Sequence, residues 1–171
     1  MTDLKQFIRE VSDFPKPGIL FYDITTLLSD PLALRMTVDR FTWLFAHLDV
    51  QKVIGIESRG FMFAPILAYN LNAGFVPVRK PGKLPSVTVE RSYDLEYGTD
   101  RLQMHADGVL PGERVLVVDD LVATGGTARA TAEMVVAQGG EVVGFGFVIE
   151  LLALDGRGYL NPYPVESLIK Y

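Results

Sequence analysis

Apolar and polar positions follow two different periods along the chain, and the switches between them divide it into elements. Near the start, Leu4, Phe7, Ile8 and Val11 fall at the i, i+3, i+4, i+7 spacing of a short amphipathic helix. A second helical stripe runs through Leu34, Val38, Phe41, Phe45 and Leu48. It follows Asp30-Pro31, where the aspartate suits an N-cap and the proline a first helical position. "KVIGIE" (52–57) and "GFVPVR" (74–79) are short continuous apolar runs and predict buried strands, with "FMFAPILAYNL" (61–71) as the helix between them.

Pro111-Gly112 then turns the chain into a strand at 114–118. A helix over 127–138 presents Ala128, Ala132 and Val135 inward, and Gly139-Gly140 stops it. "EVVGFGFVIEL" is a last long strand. Two stretches fit neither period. "DFPKPGILFYDITTLL" is punctuated by Pro and Gly yet too apolar for an idle linker, and it marks a hood at about 12–28. Residues 80–108 mix Pro, Gly, charge and alternation, an excursion read as a flap or hairpin. Strands alternating with helices predict an α/β fold, an open, mainly parallel twisted sheet flanked by helices. The 171 residues suit one domain, and no internal repeat is visible.

Composition narrows the chemistry. Hydrophobic residues make up 49%, enough for a full core and against disorder. The net charge of −5 argues against a nucleic-acid coat, so an anionic ligand would need a local basic cluster. With no cysteine, disulfides, thiolate catalysis and cysteine metal sites are excluded. The charged start "MTDLKQFIREVSDF" has no apolar signal core, and no segment is long and apolar enough to span a bilayer. A cytoplasmic protein with no membrane partner is expected.

The densest chemistry lies in "VLVVDDLVATGGT" (115–127). Four aliphatic residues lead to Asp119 and Asp120, which fall at the carboxyl end of a strand, where ligands sit in parallel sheets. Ala123, Thr124, Gly125, Gly126 and Thr127 then open a helix whose free N–H groups and dipole favour a phosphate. No Gly-Lys-Ser/Thr follows, so this is not a Walker A loop. An ordinary N-capped helix would explain the loop alone equally well. The doubled aspartate tips the balance, because strand-end carboxylates pack poorly but make good partners for hydroxyls or a metal. A ribose 5-phosphate reconciles them, its phosphate on the loop and its 2′- and 3′-hydroxyls on the carboxylates. "GIESRGF" departs from a hydrolase elbow, since Ile56 stands where the first Gly belongs.

The stretch resembles the 5-phosphoribosyl 1-pyrophosphate (PRPP) motif of type I phosphoribosyltransferases. "FPKPGILFYDIT", "GIESRGF", "VRKPGKLP" and "YDLEYGTDRLQMH" resemble further segments of that family's adenine-using branch, in the same order. The resemblance implies transfer of phosphoribose from PRPP to adenine. It also implies Mg²⁺ held mainly by substrate and water rather than by protein ligands, and a homodimer with no nucleic-acid partner. By the same resemblance, Ser58, Arg59, Lys80 and Lys83 hold pyrophosphate, and the Glu57–Ser58 peptide is cis. Phe21 and Leu121 sandwich the base, while the main chain at Leu20 and Tyr22 reads its edge. Glu96, in the flap, is the catalytic carboxylate beside Asp119 and Asp120.

Overall fold

A computed structural model describes residues 3–94 and 99–171. The frame is a five-stranded, wholly parallel sheet of order β4-β3-β7-β8-β9. Its strands are β3 (Lys52–Ile56), β4 (Gly74–Val78), β7 (Arg114–Val122), β8 (Glu141–Glu150) and β9 (Val165–Lys170). Strands buried on both faces read as unbroken apolar runs. Accordingly β3 is buried from Val53 to Ile56, and β8 from Val142 to Glu150.

Helices cover both faces. On one side lie α2 (Pro31–Phe45) and α3 (Ala64–Asn70), with Phe41, Phe45, Phe63 and Leu67 packed on Leu116 and Val118. On the other lies α4 (Gly126–Ala137), whose Ala128, Ala132 and Val135 pack with Val115 and Val117. The predicted start of α2 is realised, with the Asp30 carboxylate accepting from the N–H groups of Leu32 and Ala33, each at 2.9 Å.

Two antiparallel hairpins rise from this frame. The first pairs β1 (Arg9–Ser12) with β2 (Leu20–Asp23) and leads into the short α1 (Thr25–Ser29). The second pairs β5 (Thr88–Asp94) with β6 (Thr99–His105). A last turn of helix, α5 (Gly156–Tyr159), separates β8 from β9.

The helix expected at Leu4–Val11 is a correction. Only Leu4–Phe7 forms a 3₁₀ turn, and Arg9 onward is strand. Arg9 supplies the reason, because its guanidinium grips Asp23 across the hairpin at 2.6 and 2.9 Å, a contact a helix would forfeit. The strand β9 also follows what the sequence presented as the last one.

Candidate active site

The chain runs from β3 to β4 on one side and from β7 through β8 to β9 on the other, so the strand order reverses between β3 and β7. Crevices form beyond the carboxyl ends of strands at such a reversal. Here β3 pairs with β7 only as far as Val118, whereas β7 continues to Val122 beside β8. Asp119 through Val122 therefore have one open edge, and a cavity of about 270 Å³ lies against it.

That cavity gathers most of the predicted residues: Ser58, Arg59, Lys80, Asp119, Asp120, Leu121 and all of Ala123–Thr127. Strand β7 delivers the two aspartates, and the helix start of α4 delivers the loop. Gly125 caps α4 at φ +85°, with no side chain bonded to the cap and no acidic residue in the first turn. The leading N–H groups and the positive end of the dipole thus remain available to an anion.

The Glu57–Ser58 peptide is cis. Gly60 passes so close over β7 that a Cβ there would sit 2.7 Å from the Val118 carbonyl oxygen, so no larger residue fits without moving the strand. This approach brings Arg59 Nε to 3.1 Å from Asp120 Oδ2. Among the described residues that buried oxygen still has no aligned hydrogen-bond donor, so the pair is an ion contact open to a better partner.

Burial, and secondly the neighbouring Asp120, pushes the Asp119 carboxyl well above the usual range. Burial raises Asp120 too, with Arg59 pulling the other way. Left without a ligand, the pair is undercompensated. Hydroxyl donors or a developing positive charge would relieve it.

Glu57 ties the cationic segments together. Its carboxylate accepts from Arg79 Nε at 3.1 Å, Arg79 Nη2 at 3.3 Å and the Lys80 N–H at 3.1 Å. Arg79 also donates to the Lys83 carbonyl at 3.2 Å, so Lys83 joins this network through its main chain, while its side chain is not among those lining the cavity. Lys80 Nζ rests 2.8 Å from Asp100 of β6. Tyr93 of β5 reaches that same carboxylate and borders the cavity. Neither the pairing of Arg79 with Glu57 nor the place of Tyr93 is signalled by the sequence.

A second cavity, about 540 Å³ and largely apolar, adjoins Arg59 on the far side and is lined by Val11, Phe14, Phe21 and Ile24. The Arg59 guanidinium carbon lies 5.4 Å from the Phe21 ring centroid. Strand alternation separates the neighbours of Phe21 from it. Leu20 is exposed, and the Tyr22 ring packs on Tyr171 at 4.0 Å. Glu96 lies outside the described residues.

Taken together, the elements offer one anion site at a helix N-terminus, a second at Arg59 and Lys80, carboxylates between them, and a flat apolar wall at Phe21.

Residues 41–165 match the family described as phosphoribosyl transferase domain. The chain is 61% identical over 171 residues to the adenine phosphoribosyltransferase of Solibacter usitatus, covering 100% of this chain and 99% of the other. Among solved structures it resembles adenine phosphoribosyltransferase from Thermoanaerobacter pseudethanolicus, with a TM-score of 0.95 and 49% identity over 98% of both chains. The Saccharomyces cerevisiae enzyme, solved with an imino-altritol bisphosphate and adenine, matches with a TM-score of 0.91 and 38% identity over 96% of both.

Proposed function

Because the chain belongs to the phosphoribosyl transferase family, we propose that it converts adenine and PRPP to AMP and pyrophosphate, a purine-salvage reaction. One observation carries the reading: Asp119 and Asp120 face the cavity between a helix N-terminus free of side-chain caps and the Arg59–Lys80 cations. An acidic pair flanked by two anion sites suits a hydroxylated sugar bearing a phosphate at each end.

In this reading the N–H groups of Ala123–Thr127 hold the 5-phosphate. Asp119 and Asp120 accept from the 2′- and 3′-hydroxyls and stabilise the oxocarbenium-like charge that grows at C1′. Ser58, Arg59, Lys80 and Lys83 hold the pyrophosphate, which leaves with the electron pair of its bond to C1′. Adenine N9 forms the new bond, and Glu96 either receives the proton released from the purine N9/N7 system or holds the tautomer that attacks. Adenine lies between Phe21 and Leu121, and the main chain at Leu20 and Tyr22 accepts from its 6-amino group and reads N1. A 6-oxo purine would leave that acceptor unpaired, which favours adenine. Catalysis is then positional and electrostatic, without a covalent enzyme intermediate.

Mg²⁺ belongs to the same proposal. Among the described residues no three His, Cys, Asp or Glu gather into a metal cluster, whereas Asp120 Oδ2 is an unsatisfied buried oxygen. Such a site suits a hydrated ion arriving with pyrophosphate, and the ion would screen that group's charge. The hood (about 12–28) and flap (about 80–108) are proposed as parts of one domain over 1–171. Among the described residues no helix is long and apolar enough to cross a membrane. Action in the cytoplasm is proposed for a chain without cysteines. A homodimer is supported by Met62, Ile66, Tyr69 and Phe75, all exposed in and around α3 and β4.

The test is conversion of labelled adenine to AMP with PRPP and Mg²⁺, with hypoxanthine as competitor. Absence of product, or preference for hypoxanthine, would remove the assignment.

A further inference from the structure

The loop at Ala123–Thr127 does not hold its shape alone. Its rear is backed by α5, where Gly156 lies so close that a Cβ there would collide with the Ala123 carbonyl oxygen and approach Val122 Cγ2 at 2.7 Å. Reciprocally, a Cβ at Gly125 would meet the Gly156 carbonyl oxygen at 2.8 Å. Two glycine backbones are pressed together at the point where the loop turns into α4.

What fixes α5 there is the next residue. Arg157 donates from Nε to Glu150 Oε1 at 2.8 Å and from Nη2 to Glu150 Oε2 at 2.6 Å, the two-pronged pairing that only a planar guanidinium provides. It donates further to the Val165 carbonyl and to Ser167 Oγ, and Ser167 itself donates to Glu150. Glu150 is 3% exposed and closes β8 beside Val122, the last residue of β7 before the loop. The Leu151 N–H then donates to the Val122 carbonyl at 3.0 Å. The guanidinium therefore spans β8 and β9 and holds the α5 turn against the phosphate loop.

We infer that Arg157 is a positioning residue for the 5-phosphate of the substrate: it never touches that phosphate, but through Gly156 it sets the height of the Ala123–Gly125 backbone whose N–H groups receive it. The inference rests on the reading of 123–127 as the phosphate loop. The hood meets this network through the main chain, where the Tyr171 N–H donates to the Glu150 carbonyl at 3.0 Å, so the base side of the site is one step further from Arg157 than the phosphate loop.

The test compares R157K, R157M and G156A with the wild type by steady-state kinetics in each substrate and by calorimetric titration with AMP. Lysine keeps the charge but loses the fork, so R157K and R157M should raise KM for PRPP and weaken AMP by about tenfold or more, the scale of one lost charge-assisted hydrogen bond. KM for adenine should change several-fold less than KM for PRPP, since the hood meets this network through the Tyr171 main chain and not through α5. G156A, which pushes the loop forward without touching any charge, should reproduce the split. A purely structural role would lower thermal stability and leave PRPP and AMP parameters of the folded fraction unchanged, and that result would overturn the inference. If G156A does not fold, the comparison of R157K with R157M still decides. A wild type that binds no AMP would instead defeat the reading of the loop itself.

Discussion

Arg79→Met removes both side-chain bonds to Glu57, at 3.1 and 3.3 Å, and the bond to the Lys83 carbonyl, while a methionine stem can still lie near the Phe61 ring. Among the described residues the Glu57 carboxylate then keeps the hydrogen bond from the Lys80 N–H. Hydrogen bonds to a charged group contribute about 1.5–3 kcal/mol each when buried. Here the side chains are 32% and 19% exposed and the distances sit at the long end. A total of about 2 kcal/mol is expected after discounting for solvent. For a chain of this size that lowers Tm by about 4–8 °C.

Glu57 immediately precedes Ser58 and Arg59, so misplacement of the loop should also cost on the order of 10²-fold in kcat/KM for PRPP. The assay is a double-mutant cycle with E57Q, read by urea denaturation and by PRPP kinetics. Coupling of about 1–2 kcal/mol is expected, and a value below about 0.5 kcal/mol would refute the tie. Acid supplies an independent check. Burial raises the Glu57 carboxyl, but the Arg79 hydrogen bond, the Lys80 N–H and the charges of Arg79 and Lys83 outweigh it and hold it below its ordinary 4.5. A lowered value in the folded state means stability present above the unfolded value and lost as pH falls through the folded one. Wild type and R79M should therefore converge in stability as the solution is acidified below the ordinary glutamate range.

Asp119→Asn and Asp120→Asn should each raise the Tm of the ligand-free protein at pH 7–8 while cutting kcat by about 10²–10³-fold. Both carboxyls are raised in the fold above the ordinary 3.8, so the strain of holding them ionised is full above the folded values and vanishes below the unfolded one. Scanning fluorimetry against pH reads this directly. Tyr171→Ala removes a ring packed 4.0 Å from Tyr22 and should raise KM for adenine several-fold, about 1 kcal/mol of aromatic contact, with KM for PRPP unchanged. Asp100→Asn frees Lys80 from a partner 2.8 Å away and should tighten product inhibition by pyrophosphate by up to about fivefold, the scale of an exposed ion pair. Inhibition constants at low and high salt check it, since the gain should fade with screening.

Elements signalled by their own residues were legible in the sequence. Asp30-Pro31 announced α2, and the unbroken aliphatic runs announced β3, β7 and β8 because a parallel sheet buries both faces of each strand. Strand β9 escaped notice because "VESLIK" is a short edge strand buried chiefly at Val165 and Ile169. The stripe at 4–11 misled because Asp23, far along the chain, claims Arg9 for a hairpin. The site divides in the same way. Asp119, Asp120 and the loop after them are contiguous, so their chemistry could be seen in place. Glu57–Arg79 and Lys80–Asp100 join residues 22 and 20 positions apart, and Arg157 finds Glu150 across a turn. Those partnerships exist only once the strand order is known.

The Tyr171 ring packs on Tyr22 at a tilt of 30° and lies beneath the Lys5 ammonium, so residues far apart in the chain meet beside the hood. During synthesis the ribosome releases residues 5 and 22 first, but their partner only after β9 has emerged. The phosphate loop waits as well, because α5 and the Arg157 bonds to β8 and β9 brace it, so both halves of the site are completed by the same late segments. Assembly order alone would keep unfinished chains from turning over PRPP with adenine.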